Sequence, residues 1–160
     1  MNYSRCLTYL AVFFVAMITG CAVSDKPAID QTPLTLPPPP TPVYAGSCDE
    51  PMVLETWMQP VTFQQREFFN LMQSAGEKSP AELVVDVEQM AALRDRISAL
   101  ATPDCAVETQ AAFLNVMGAI LDGFQVVVNS DSGDTATIIA EHQADYSAAQ
   151  AMLDVLFEQL

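Results

Sequence analysis

The stretch SPAELVVDVEQMAALRDRISAL, residues 79–100, contains the start, the apolar face and the end of one helix. Ser79 and Glu82 fit a capping box, in which the two side chains satisfy free backbone N–H groups at a helix start. Pro80 falls at the first helical position, where its missing N–H costs nothing. The apolar residues then recur at steps of three and four, which is the period of a helix face: Leu83, Val87, Met90, Leu93, Ile97 and Leu100.

Three further segments show similar signals. Ser47 with Glu50 fits a second capping box, Thr102-Pro103 fits another helix start, and Asp134 is a predicted N-cap. The apolar positions are Leu54, Trp57, Val61 and Phe68 in the first segment, Val107, Ala111, Leu114, Met117, Leu121, Phe124 and Val128 in the third, and Ile139, His142, Tyr146, Ala149, Leu153 and Leu156 in the fourth. Four segments with short joins predict an all-α domain over residues 47–160, a four-helix up-down-up-down bundle. Pro60 predicts a kink or a break of the first helix near residues 59–62.

The N-terminal region is typical of an export signal. Arg5 supplies a positive charge, and residues 6–18 form an apolar run of about 13 residues, too short for a typical membrane-spanning helix of roughly 20. The run ends in ITGC, residues 18–21, which resembles the lipobox of bacterial lipoproteins. The resemblance implies that residues 1–20 are a signal peptide and that Cys21 is lipidated and becomes the first mature residue. An ordinary cleaved signal and an uncut membrane anchor are the alternatives.

The resemblance also implies a location. The protein would be exported and held on a bacterial membrane by acyl chains on Cys21, which anchor it stably when there are two or three. Ala22 follows the cysteine instead of Asp, which resembles the subset sent to the outer membrane if the host has one. In a host with a single membrane, the protein would sit on the outer face of the cell membrane. Residues 21–46 are rich in proline, including Pro37 to Pro40, and predict an extended tether.

Two cysteines of the predicted domain are candidates for a disulfide. Cys48 opens the first helix and Cys105 opens the third, and an up-down-up-down bundle places both helix starts at the same end. Disulfides persist in exported proteins, so we expect the two sulfurs to be bonded. Two unpaired buried thiols are the alternative.

The charge balance limits the classes of partner. The chain has 6 Lys and Arg against 20 Asp and Glu, and loss of Arg5 with the signal brings the net charge to about −15. Nucleic acids and anionic lipid surfaces are bound through Lys and Arg. The sequence therefore predicts no nucleic-acid partner and membrane attachment only through the lipid.

Few residues suggest chemistry. His142, the single histidine, lies one turn before Tyr146 on the predicted core stripe, and the two could line a pocket for a small ligand or a metal. A buried, hydrogen-bonded histidine is the simpler interpretation, because di-iron bundles need a histidine on each of two helices. There is no Cys-x-x-Cys pair, phosphate loop or nucleophile motif. The sequence predicts no metal, no cofactor and no enzyme activity.

Some apolar residues lie outside the predicted core stripes, and the sequence allows two roles for them. Phe63 and Phe69 on the first segment, together with Val84, Val85, Val126 and Val127, either widen the core or form a patch for a partner or a second copy. The preferred hypothesis is a lipid-anchored binding or interaction module of the cell envelope. A bundle that binds a small ligand or metal near His142 and Tyr146 is the alternative.

Overall fold

The computed structural model describes residue 38, residues 43–130 and residues 133–160. The predicted signal peptide (residues 1–20), the lipidation site Cys21 and the tether up to residue 42, apart from residue 38, lie outside the described residues. These assignments therefore stay predictions.

The described residues form four helices and one two-stranded sheet. In chain order the elements are β1 (Val43–Gly46), α1 (Pro51–Ala75), α2 (Pro80–Ser98), β2 (Ala101–Pro103), a 3₁₀ turn (Asp104–Ala106), α3 (Val107–Ser130) and α4 (Thr135–Phe157). The predicted four-helix bundle is confirmed. The sheet is an addition that the helical periodicity did not indicate.

Two of the predicted helix starts form as expected. The Glu82 carboxylate accepts hydrogen bonds from the Ser79 hydroxyl (2.6 Å) and the Ser79 backbone N–H (3.0 Å), and these bonds lower the pKa of Glu82. The Asp134 carboxylate accepts from the Thr137 hydroxyl (2.7 Å) and the backbone N–H of Ala136 (3.0 Å), which lowers the pKa of Asp134. Both carboxylates therefore stabilise their helix starts while they are ionised.

The predicted start of α1 at Ser47 is wrong. The helix begins at Pro51, and the Ser47 hydroxyl donates instead to the Asp49 carboxylate at 2.9 Å. Gly46, at φ 110°, ends β1 in a conformation that favours glycine, so the chain is still turning at Ser47. Pro51 then occupies the first turn of the helix, which its fixed φ suits.

Proline 60 does not break α1. The helix runs without interruption from Pro51 to Ala75, so a break near residues 59–62 is excluded. A proline inside a helix costs about 3 kcal/mol or more. The side chains around it offset that cost, because Trp57, Met58 and Val61 are at most 2% exposed.

The sheet joins the chain before α1 to the chain before α3. β1 and β2 run parallel, with Tyr44 opposite Thr102 and Gly46 opposite Pro103. Parallel pairing follows from the topology, because each strand leads into a helix that starts at the same end of the bundle. β1 lies within residues 21–46, the range predicted as tether, so the last part of that range is paired to the domain.

The core fills the space between consecutive helices. α1 packs against α2, α2 against α3, and α3 against α4, whereas α1 and α4 approach each other much less closely. The most deeply buried large side chains include Phe68, Leu83, Phe113, Phe124 and Leu153. The bundle is therefore open along the seam between its first and last helices.

Among the described residues, one helical stretch, Asp104–Ser130, is long and apolar enough by length and composition to cross a membrane. Core helices of soluble bundles can have the same length and composition. Phe113, Met117, Ile120 and Phe124 of this stretch are fully buried against the other helices, as in a core helix.

Candidate functional site

The open seam forms a groove between α1 and α4. One part of it is a cavity of about 600 Å³ whose lining includes Met58, Phe63, Phe157 and Leu160. The other part is a cavity of about 480 Å³ whose lining includes Phe69, Gln143, Tyr146, Ser147, Gln150 and Ala151. Both parts are lined by Thr62 and Arg66, so they are neighbours along one surface, which we call the α1–α4 groove.

The first part of the groove exposes large apolar side chains. Phe63 is 50% exposed, Phe157 is 46% exposed and Leu160 is 54% exposed. Single exposed apolar residues are ordinary on protein surfaces, but a cluster around a cavity marks a place where burial would be favourable. Covering such a surface contributes roughly 25 cal/mol for each Å² of apolar area removed from water.

Hydrogen bonds connect residues at the floor of the second cavity, the one of about 480 Å³. The Tyr146 hydroxyl donates to the backbone carbonyl of Gln65 at 3.0 Å, and the Gln65 side-chain amide donates to the side-chain oxygen of Gln150. Tyr146 is 5% exposed, and this burial raises its pKa to about 12. Its ring lies 5.3 Å from the ring of Phe69 and 6.1 Å from that of Phe113. The α1–α4 seam is thus joined by hydrogen bonds and by one aromatic cluster.

Two polar residues, Thr62 and Arg66, line both cavities of the groove. The Thr62 hydroxyl oxygen is buried and has no hydrogen-bond partner among the described residues. Buried polar atoms are nearly always paired, so this hydroxyl is an exception among the described residues. The Arg66 guanidinium lies 5.8 Å from the centre of the Phe63 ring and 3.9 Å from the Glu67 carboxylate. The groove therefore offers apolar walls with a few polar contacts, which suits binding.

His142 lies in a different place. It is half-buried and lines a cavity of about 330 Å³ between α3 and α4, together with Ala112, Val116, Asp145 and Met152. Tyr146, one turn later, lines the α1–α4 groove. The two residues predicted to share a pocket therefore line separate cavities, because one side of α4 packs on α3 and the other faces α1.

The predicted disulfide is present at the end of the bundle where α1 and α3 begin. Cys48 and Cys105 are bonded, with their Cα atoms 6.0 Å apart. One Asp104 carboxylate oxygen accepts from the backbone N–H of Cys105 (2.8 Å) and from that of Cys48 (3.0 Å). The two sulfurs and this carboxylate lie close enough together to hold a metal ion. Metal ligation by cysteine needs a thiolate, which a disulfide does not provide, so the group acts here as a cross-link.

A buried polar cluster supports the same end of the bundle. Gln110, 2% exposed, accepts from the Trp57 indole N–H at 3.0 Å and donates to the carbonyl of Ile97 at 3.0 Å. The Thr102 hydroxyl donates to the same Gln110 oxygen. The cluster ties α1, the end of α2 and the chain before α3 together, which is a structural role.

The chain has no match among protein-family models, curated proteins or solved structures. The α1–α4 groove and the predicted N-terminal signal are therefore the features of this chain that point to a function.

Sequence reasoning found part of the groove. It singled out Phe63 and Phe69 as apolar residues outside the stripe, and it singled out Tyr146. It missed Phe157, which directly follows the stripe residue Leu156, and it missed Arg66. Adjacent apolar residues at the end of a stripe are a usable signal for a second apolar face, whereas nothing in the local sequence marks Arg66.

The valines that were grouped with Phe63 and Phe69 from the sequence lie elsewhere in the bundle. Val127 is 3% exposed and belongs to the core, while Val85 on α2 and Val126 on α3 are 55% and 64% exposed. Neither of the exposed valines lines the α1–α4 groove as described above.

Proposed function

We propose that this chain is an exported lipoprotein, anchored to a bacterial membrane through lipid on Cys21, whose helical domain binds a partner in the cell envelope. The location rests on the resemblance of residues 18–21 to a lipobox. We place the protein at the outer membrane if the host has one, and otherwise on the outer face of the cell membrane. The role is binding and not catalysis.

The observation that carries the binding role is the open α1–α4 seam. A closed four-helix bundle buries the apolar residues of its first helix against its last helix. Here Phe63 and Phe157 remain about half exposed beside a cavity of about 600 Å³. A partner that covers them would gain hydrophobic burial that the isolated domain lacks.

The anchor has a direct test in cells. Mass spectrometry of the membrane fraction should find a mature chain that begins at Cys21 with acyl chains attached. Cys21→Ala should abolish the modification and the acylated mature form. An unmodified cysteine, or a mature chain that begins elsewhere, would remove the anchor from the proposal.

The groove has a separate test in the same cells. A photoreactive amino acid placed at Phe63 or Phe157 should give a discrete cross-linked species after illumination. The same amino acid at Val126, exposed on α3, is the matched control and should not give that species. The binding proposal fails if no adduct forms from either groove position, or if Val126 gives the same adduct.

A further inference from the structure

We infer that the occupant of the α1–α4 groove is a cationic amphipathic helix. This inference rests on the proposed function, because it names the class of partner for the same groove. It is carried by the shape of the groove, by the nature of its walls and by the distribution of charge around it.

The dimensions match a helix of about four turns. Along α1 the lining extends from Glu55 to Phe69, and along α4 it extends from Gln143 to Phe157. Each span covers 14 helical steps, which at 1.5 Å for each residue is about 21 Å. A groove with two helical walls of this length accepts a partner helix that presents apolar residues at steps of three and four.

The walls supply apolar contacts along that length. Phe63 and Phe157 line the cavity of about 600 Å³, and Phe69 and Tyr146 line the cavity of about 480 Å³. α1 already packs on α2, and α4 already packs on α3, so a fifth helix in the seam would complete the burial of both. Ala151 leaves room in the second part for a large side chain of the incoming helix.

The charge selects a basic partner. The groove lining contains the carboxylates Glu55 and Asp154, and Arg66 is already close to Glu67. Residues 97–160, Asp154 included, contain 9 Asp and Glu and no Lys or Arg. Lys or Arg flanking the apolar face of an incoming helix would meet this negative field, which favours both encounter and orientation.

The same charges disfavour two other occupants. A second copy would bring another domain with 18 Asp and Glu against 4 Lys and Arg over residues 47–160, and so would repel the first. An anionic lipid surface would be repelled for the same reason. Association with a second copy remains as an outcome of the test.

The test uses the full lipidated protein in phosphatidylcholine nanodiscs, with empty nanodiscs as the blank. The probes are three synthetic 14-residue helical peptides. The first has a Leu and Phe face with Lys on the polar face, the second has the same apolar face with Glu, and the third keeps Lys but replaces the apolar face with Ser. We expect the first to bind at least about tenfold more tightly than either of the others.

Variants locate the binding. Phe63→Ser and Phe157→Ser should each weaken binding of the Lys peptide by about fivefold or more, as for hot-spot residues. Val126→Ser, at an exposed apolar position on α3 outside the groove, should leave the affinity unchanged. Circular dichroism of each variant verifies that the helices are intact.

The outcomes separate this inference from the proposed function. If the Glu peptide binds as tightly as the Lys peptide, the charge argument is overturned while the groove function stands. If none of the peptides binds, or if Phe63→Ser has no effect, the inference is overturned, whereas the cross-linking from Phe63 in cells judges the proposed function independently. Concentration-dependent dimerisation that Phe63→Ser abolishes would assign the groove to a second copy instead.

Discussion

The hydroxyl of Tyr146 on α4 donates a hydrogen bond to the backbone carbonyl of Gln65 on α1, at 3.0 Å and across 81 positions of sequence. This bond crosses the seam along which the bundle is least tightly packed. It lies at the floor of the α1–α4 groove, where Tyr146 also lines the second cavity. The groove is therefore a feature that specific polar contacts maintain.

Removing that hydroxyl should weaken the seam. We expect Tyr146→Phe to lower the free energy of unfolding by about 1 kcal/mol, since one buried hydrogen bond is lost while the ring is kept. Urea denaturation followed by circular dichroism measures the change. Tyr44→Phe is the matched control, because Tyr44 is 66% exposed, and it should have no effect. Equal effects of the two substitutions would contradict a special role for Tyr146.

The same residue predicts a loss of stability at high pH. Burial raises the pKa of Tyr146 to about 12, above its ordinary value of 10.0. Between these values the unfolded chain releases the proton and the folded chain retains it, so unfolding becomes easier as the pH rises. The contribution is complete below pH 10 and is lost as the pH approaches 12, with a total of about 3 kcal/mol.

The measurement is the free energy of unfolding against pH, with the wild type compared with Tyr146→Phe. The variant should lack the part of the decline that Tyr146 causes, so the two curves should approach each other above pH 10 and cross before pH 12. Phenolate absorbance of the folded wild type should show one tyrosine that titrates late. Parallel stability curves would show that burial of Tyr146 has no such effect.

The disulfide should contribute a large share of the stability. Cys48 and Cys105 are 57 positions apart, and the chain-entropy model gives about 4 kcal/mol for a loop of this size. We expect the double variant Cys48→Ala with Cys105→Ala to lose that amount in urea denaturation. Reductant should destabilise the wild type and leave the double variant unchanged. A wild type that unfolds at the same urea concentration with and without reductant would contradict this prediction.

Most of the fold could be predicted from the sequence because each helix contains its own capping residues or its own apolar stripe. The Ser79 and Glu82 cap and the Asp134 cap depend on residues within three positions, and the apolar stripes repeat at short range. The disulfide could be predicted because the bundle topology brings two helix starts together. In each of these cases, the information lies within one segment or follows from the order of the segments.

The rest depends on long-range packing. The pairing of Val43–Gly46 with Ala101–Pro103 joins two short strands with no alternation of their own. The continuity of α1 through Pro60 depends on burial of Trp57 and Val61, which no local rule contains. The separation of His142 from Tyr146 depends on how α4 is shared between α3 and α1. Spacing of four places residues on similar faces but does not say which neighbour each one meets.

The buried amide of Gln110 predicts a further stability effect. Gln110→Met keeps the size of the side chain but leaves the Trp57 N–H and the Ile97 carbonyl without this partner. The Ile97 carbonyl still accepts from the backbone N–H of Leu100 at 3.1 Å, so the Trp57 N–H is the buried group left unsatisfied. One such group costs about 1–3 kcal/mol, and we expect a loss of that size in urea denaturation. Gln143→Met, at an exposed position of α4, is the control and should change the stability by less than about 0.5 kcal/mol. A similarly small change in both variants would show that the hydrogen bonds of Gln110 contribute little to the stability.

Two glycines of α3 should respond to alanine in opposite directions. A Cβ at Gly123 would lie 2.7 Å from Cγ2 of Ile138 on α4, whereas a Cβ at Gly118 would meet no atom within 4 Å. Overpacking destabilises the folded protein by about 1–3 kcal/mol, whereas replacing glycine by alanine inside a helix stabilises it by up to about 1 kcal/mol. We therefore expect Gly123→Ala to destabilise by about 1 kcal/mol and Gly118→Ala to stabilise by up to about 1 kcal/mol.

A double variant identifies the cause of the difference. In an Ile138→Ala background the obstructing methyl group is absent, so Gly123→Ala should become stabilising there, as Gly118→Ala is in the wild type. Thermal or urea unfolding of the four combinations at positions 123 and 138 gives the coupling energy directly. If Gly123→Ala stabilises the wild-type protein, α3 and α4 do not approach each other as closely at Gly123 and Ile138 as the structure places them.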